Sequence, residues 1–233
     1  MIIPVLILLA LLLAWRLRRM GDRAFTWLMG FIGLLFASTE ILKQLYLYQA
    51  GGGRYNWWYF PFQLCSIPMY LCLLYPLCRR GRGRRLLCTF MYNFNLLGAI
   101  AVFFDTSGLY HDSLLLTIHS FGWHILIIFL GSLILFSRRT DVSWAGYGKS
   151  LALFLALCLM ATGFNILFHP FGDIDMFYIT PYYPSIQIIF HSIALRLGTI
   201  PGDLIYVGAI AAGAALFHLA ARRWDAWRSG KKL

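Results

Sequence analysis

The sequence predicts an all-α membrane protein, a polytopic bundle of seven transmembrane helices that forms one domain over residues 1–233. Its composition is 60% hydrophobic and only 12% charged, with a mean hydropathy of +0.70. A soluble domain of this length needs far more polar surface. Seven apolar runs approach or exceed the roughly 18–20 residues that cross a bilayer as a helix. Lipid accepts only helices and closed barrels as spanning structures, and the long apolar runs favour helices.

The predicted spans cover residues 2–17, 25–49, 57–78, 86–104, 117–136, 150–168 and 202–221. The first span is the shortest, and its basic residues follow it. No small-residue cleavage site ends it, so we expect an N-terminal anchor and not a cleaved signal peptide.

Basic residues fix the expected orientation. Seventeen of the 20 Lys and Arg lie in alternate connections and in the C-terminal tail; the exceptions are Lys43, Arg54 and Arg196. Because positive loops stay cytoplasmic, the N-terminus should face out and the C-terminus in, as in a multi-pass protein of the plasma membrane. The net charge of +11 is therefore a topological signal. We expect membrane lipids as solvent and substrate and no nucleic-acid partner, and the sequence does not indicate which proteins, if any, the chain binds.

One outer connection, residues 169–201, is much longer than the others. Its middle, residues 185–197, carries apolar side chains at helical spacing, with His191 and Arg196 at other positions. This pattern predicts an amphipathic helix on the outer leaflet; a re-entrant or packed segment is the alternative.

Polar residues within the spans concentrate in the halves that should face outward. Glu40 and Lys43 are three residues apart and can pair along one helix. Intramembrane polar groups are costly and tend to mark sites, although single ones also serve as interhelical hydrogen bonds. We therefore predict a polar pocket open to the extracytoplasmic leaflet. Its supporting or substrate-binding residues would be Glu40, Lys43, Gln63, Asn95, His119, Asn165, Asp175 and Tyr178.

Cys65 and His124 form the candidate catalytic pair. Cys65 lies about eight residues into the third predicted span and His124 about seven into the fifth, so the two have similar depths. An imidazole beside a thiol stabilises the nucleophilic thiolate, and Asn165 or Asn95 lies deep enough to orient the histidine. The alternative is that Cys65 fills space and His124 bonds a neighbouring helix. Neither a metal nor an organic cofactor is expected.

Several segments resemble motifs of the YwaF-type integral membrane proteins, in the same order. They are FQLCS (62–66), the stretch 98–105, HSFGWHILIIFLG (119–131), GFN (163–165), DMFYITPYYPS (175–185), and residues 198–201 with Tyr206. The resemblance covers roughly residues 56–220. Gln63 replaces the family's histidine and Asp175 an asparagine.

The resemblance implies an activity. Animal relatives of the family are membrane acyltransferases that remodel ether phospholipids, with a cysteine and a histidine proposed as the active pair. By motif these correspond to Cys65 and His124. We expect a lipid acyltransferase or acyl hydrolase with an outer-leaflet Cys/His site.

Two other functions remain open. A zinc-dependent seven-helix lipid hydrolase would need three converging ligands, but His119 and His124 are five residues apart and face different sides of a helix. A small-ligand binding or transport protein would also use a polar outer pocket. The inner halves, however, offer no polar path to the cytoplasm.

Overall fold

The structure, a computed structural model, describes residues 2–79 and 81–230. It is 79% helix, and the described residues contain no strand. The α-helices are α1 (Ile2–Leu17), α2 (Asp22–Ala50), α3 (Ile67–Leu77), α4 (Arg82–Phe90), α5 (Leu96–Ala101), α6 (Leu114–Phe136), α7 (Trp144–Phe168), α8 (Ile188–Leu197) and α9 (Thr199–Ser229). The all-α prediction is confirmed.

Four of the helices are long and apolar enough to cross a membrane: α2, α6, α7 and α9. The other predicted spans coincide with α1, which has 16 residues, with α3 and the turn before it, and with the interrupted helix α4–α5. The seven-span count and the orientation of the chain remain predictions.

The third span differs from its prediction. Residues 57–78 do not form one helix: short 3-10 turns occupy Trp57–Tyr59 and Leu64–Ser66, and α3 begins only at Ile67. Pro61 has no N–H to donate to a continuing helix, whereas Pro68 is well tolerated in the first turn of α3. Cys65 therefore lies in the turn that precedes α3, and not eight residues inside a helix.

The fourth span is interrupted by a π-helical turn, Met91–Asn95, between α4 and α5. The Asn93 side chain there is fully buried, and its Nδ2 donates to Ser150 Oγ at 3.1 Å and lies 3.4 Å from His218 Nδ1. His218 Nε2 donates to the Ser143 carbonyl at 3.0 Å. The half of the bundle that the sequence predicts to face the cytoplasm, expected to be almost wholly apolar, thus contains a buried polar cluster.

The helix ends that carry basic residues meet at one end of the bundle. Arg139 pairs with Asp22, and Arg138 pairs with Asp225, each at 2.6 Å. These contacts join the start of α2 to the ends of α6 and α9. The opposite end gathers most of the predicted site residues.

Helix α8 occupies most of the predicted amphipathic segment, beginning at Ile188 and not at residue 185. It packs on the first turn of α9, where a side chain at Gly202 would lie 2.6 Å from the Ala194 Cβ. Ile188, Ile189 and Leu195 remain exposed on its other face. Its position at the surface of the outer leaflet stays a prediction.

Candidate functional site

The turn that carries Cys65 is held by hydrogen bonds to its backbone. Trp123 Nε1 on α6 donates to the Cys65 carbonyl at 2.8 Å. Asn95 Nδ2 in the π-helical turn donates to the Leu64 carbonyl at 2.8 Å. These two bonds hold the backbone of Cys65 in place just before the N-terminal end of α3.

The amide of Gln63 connects this turn to the long outer connection. Its Nε2 donates to the Asp175 carbonyl at 2.6 Å, and its Oε1 accepts from the Phe177 N–H at 2.9 Å. Both contacts use the backbone, so Gln63 brings the segment Asp175–Tyr178 beside Cys65.

Asn165 holds the same segment from α7. Its Oδ1 accepts from the Met176 N–H at 2.6 Å, and its Nδ2 donates to the Met176 carbonyl at 3.1 Å. Phe177 and Tyr178 follow with φ of 61° and 58°, a left-handed conformation that non-glycine residues rarely adopt. Such strain persists only where surrounding contacts enforce it. Gln63 and Asn165 provide those contacts.

His124 has a defined tautomer. Its Nδ1 lies 2.8 Å from the Ser120 carbonyl, and because a carbonyl oxygen only accepts, Nδ1 carries the hydrogen. Nε2 is then left as the basic nitrogen. Over residues 2–79 and 81–230, no hydrogen bond joins His124 to Cys65, Asn95 or Asn165. The Cys65–His124 pair remains a prediction, and the group that orients His124 is the Ser120 carbonyl.

Glu40 and Lys43 form the ion pair that their spacing predicts. Lys43 Nζ lies 2.8 Å from Glu40 Oε1, and both side chains are largely buried. Gln44 Nε2 also donates to Glu40, at 2.7 Å, and to the Tyr59 carbonyl, at 2.6 Å. Gln44 therefore links α2 to the irregular segment that leads to Cys65, and Glu40 holds the Gln44 amide.

His119 lies against the indole that contacts Cys65. The ring centroids of His119 and Trp123 are 5.1 Å apart. His119 Nε2 is buried and has no hydrogen-bond partner among the described residues. It is thus a polar atom available to a bound molecule.

Asp175 is a buried carboxylate outside the membrane-spanning segments. Its Oδ1 accepts from the Thr180 N–H at 3.0 Å, and its Oδ2 has no partner within the described chain. Burial raises the pKa of Asp175 to about 6, although the backbone N–H groups of Thr180 and Ile179 oppose the shift. Sequence reasoning missed the buried Asp203 and the buried Thr180 hydroxyl, each of which also has an oxygen without a described partner. Only the rarity of an acid early in a predicted span could have singled out Asp203.

Replacing Asp175 by Asn should change the pH dependence of stability. Because the pKa in the folded protein lies above the unfolded value of about 3.9, the wild type loses stability as pH rises from about 4 to 6. Asp175→Asn removes this loss and should stabilise the protein at pH 7 by on the order of 2 kcal/mol. Thermal melting in detergent across this pH range measures the effect; a wild-type melting temperature that rises between pH 4 and 6 would contradict it.

An open groove of about 540 Å³ follows the seam between α2 and α3. We call it the α2–α3 groove; its lining residues are Ala37, Glu40, Ile41, Gln44, Leu45, Tyr48, Tyr55, Pro61, Met69, Tyr70 and Leu73. The hollow beside Glu40 is thus mainly apolar, where the sequence predicted a polar one.

No group of three or more His, Cys, Asp or Glu side chains converges within residues 2–79 and 81–230. The zinc-hydrolase hypothesis therefore gains no support from the arrangement of these side chains.

The sequence matches a family profile over residues 1–200, a range that includes every predicted site residue. The chain belongs to the TMEM164 family. TMEM164 is a membrane protein family, and with several apolar helices the chain is a multi-pass membrane protein. The match begins well before residue 56, where the motif resemblance began. No curated protein and no solved structure gives a significant match to the chain.

Proposed function

We propose that this TMEM164-family protein is a membrane-embedded lipid acyltransferase or acyl hydrolase in which Cys65 is the nucleophile and His124 the acid–base. One observation carries the proposal. The hydrogen bond from Trp123, the residue before His124, to the Cys65 carbonyl joins α6 to the turn that includes Cys65. The Nδ1-protonated tautomer supports it further, since it leaves Nε2 free to accept a proton.

The reaction would proceed in two steps. In the first, Cys65 Sγ attacks the carbonyl carbon of a lipid ester while His124 Nε2 takes the thiol proton. An S–C bond forms, the ester C–O bond breaks, and His124 returns the proton to the leaving alkoxide. In the second, the hydroxyl of a lyso-lipid, or water, attacks the thioester and the thiol re-forms. Lyso-lipid gives acyl transfer and water gives hydrolysis.

The contacts of the other predicted residues assign them to two roles, positioning of the backbone and binding of the substrate. Gln63, Asn95, Asn165 and Asp175 position the backbone around Cys65, since their described bonds are to or from main-chain atoms. Lys43, His119 and Tyr178 are the proposed substrate-binding residues, with Glu40 holding Lys43 in place. A lysine ammonium and an unpartnered imidazole nitrogen suit a lipid phosphate or ester oxygen.

We assign the acyl chain to the α2–α3 groove. The groove is apolar, its volume lies within the usual range of ligand pockets, and it includes Met69, one helical turn after Cys65. A chain in the groove would bring its carboxyl end toward Glu40 and the site.

A bulky side chain in the groove should shorten the acyl chains that the protein accepts. Ala37→Trp should lower the rate for long chains by about tenfold or more and should spare short chains, since about two blocked methylenes at roughly 0.8 kcal/mol each reach that factor. Turnover of esters of graded chain length measures this. Leu34→Trp, on an exposed position of α2 outside the groove, is the matched control. Equal loss at all chain lengths would contradict the assignment.

The finer features of the topology belong to the same proposal. We propose seven spans, the N-terminus outside and the C-terminus inside, with the Cys65 site facing the extracytoplasmic leaflet of the plasma membrane. The basic helix ends that meet at one end of the bundle support this. The YwaF-type resemblance likewise remains a prediction.

The decisive experiment seeks the covalent intermediate. Purified protein is incubated with a phospholipid that carries a labelled acyl chain, and intact-protein and peptide mass spectrometry search for the acyl group on Cys65. The expected adduct is released by neutral hydroxylamine, as thioesters are. Lipid that binds without any adduct or turnover would instead favour the small-ligand binding or transport hypothesis.

A further inference from the structure

Basic and aromatic side chains gather where the ends of α1 and α9 meet. The Trp15 ring centroid lies 5.3 Å from that of Phe136 and 6.1 Å from that of Trp224. The guanidinium of Arg18 lies 3.9 Å from the Trp15 ring centroid, and that of Arg228 lies 5.7 Å from it. Two cations therefore share one indole. We call Trp15, Arg18, Trp224 and Arg228 the Trp15 cluster.

The positive charge of the Trp15 cluster has no ion-pair partner among residues 2–79 and 81–230. Asp225 and Asp22 at this end form ion pairs with Arg138 and Arg139. Asp141 bonds within its own turn.

Like charges accumulate around Arg18. Burial, followed by the charges of Arg19, Arg228 and Arg16, lowers the pKa of Arg18. The charges of Arg19, Arg228 and Arg16 thus repel that of Arg18, and an anion bound beside Arg18 would relieve that repulsion.

Two hydrogen-bond donors of the Trp15 cluster are buried without an acceptor in the described chain. They are Arg18 Nε and Trp224 Nε1. Arg18 already donates through Nη1 to the Trp15 carbonyl at 2.7 Å, which holds its guanidinium in place. A buried donor without an acceptor is costly, and both these groups can only donate. The missing partner is therefore an acceptor.

We propose that the Trp15 cluster binds the phosphate of an anionic phospholipid in the leaflet at this end of the bundle. Guanidinium groups bind phosphate oxygens through charge-assisted hydrogen bonds. The adjoining Trp227 is 70% exposed, and indole rings favour the membrane interface, which suits a lipid headgroup better than a free ion. This site lies at the opposite end from Cys65 and does not depend on the acyl-transfer chemistry.

Lipid retention tests the proposal. The full chain is extracted from vesicles of equal phosphatidylcholine and phosphatidylglycerol, and the lipids that co-purify are quantified by mass spectrometry. Wild type should be enriched in phosphatidylglycerol. Trp224→Phe keeps an aromatic side chain but lacks the indole N–H, so it should lower this enrichment by about fivefold, which corresponds to one hydrogen bond of about 1 kcal/mol. Arg18→Gln should lower it further.

Arg223→Gln is the matched control, because Arg223 is an exposed basic residue on the same helix outside the cluster. It should retain the enrichment. The proposal is overturned if Trp224→Phe and Arg18→Gln behave like Arg223→Gln. It is also overturned if inorganic phosphate displaces the lipid as well as added phosphatidylglycerol does, since the ligand would then be a free anion.

Discussion

Cys65→Ala is expected to abolish acyl transfer and acyl-enzyme formation while leaving the protein folded. The thiol supplies the bond-forming atom, so its loss should lower kcat by more than about a thousandfold. The turn should persist, because the bonds that hold it use the carbonyls of Cys65 and Leu64 and not the thiol. Steady-state turnover of a labelled phospholipid, with melting temperature as the check on folding, measures both.

Cys78→Ala is the matched control, since Cys78 is also a partly exposed free cysteine but lies at the opposite end of α3. Its activity should equal that of wild type. His124→Ala should lower kcat by about 10²–10⁴, the usual loss for a general acid–base. Turnover that survives in Cys65→Ala would remove the nucleophile from the proposal, whatever the histidine variant does.

Asn165→Leu is expected to produce the largest loss of stability. Asn165 is fully buried and bonds both the N–H and the carbonyl of Met176. Leucine has similar size but leaves both backbone groups unpaired. Each unpaired group should lower the free energy of unfolding by about 1–3 kcal/mol. The segment Asp175–Tyr178 should lose its left-handed conformation, and activity should fall with it. Thermal melting and limited proteolysis of the detergent-purified protein measure this.

Asn56→Ala provides the comparison, because the Asn56 side chain accepts a single backbone N–H, from Trp58, at an exposed turn. This substitution should lower the free energy of unfolding by about 1 kcal/mol, the usual effect of losing an N-cap side chain. If Asn165→Leu melts no lower than Asn56→Ala, Asn165 does not hold the segment as described.

The sequence could predict the features that depend on local pattern. Apolar runs long enough for a bilayer located the helices, and the three-residue spacing of Glu40 and Lys43 predicted their ion pair. The irregular backbone before α3 was not predicted, because hydropathy does not depend on whether a residue has a backbone N–H to donate. The run from Trp57 to Cys78 is mainly apolar, but Pro61 interrupts its hydrogen bonding.

The targets of the polar side chains could not be predicted. Gln63 bonds the backbone of residues more than a hundred positions later, and Asn95 bonds a carbonyl and not a histidine. Residue type and depth indicate that a polar group needs a partner, but not which one. Nearly every residue has the same backbone N–H and carbonyl groups, so the sequence does not indicate which of them a side chain will bond. The structure is needed to identify these partners.

The π-helical turn connects two sets of buried hydrogen bonds. Asn93 and Asn95 lie in this one turn, the first bonded toward Ser150 and His218, the second toward the loop of the nucleophile. Residues two positions apart point to roughly opposite sides of a helix, so the two amides bond in opposite directions from one turn. If the turn became regular α-helix, one of the two amides would rotate by about 100° away from its partner. A deletion that removes the extra residue of this turn should therefore disturb one of these two sets of contacts.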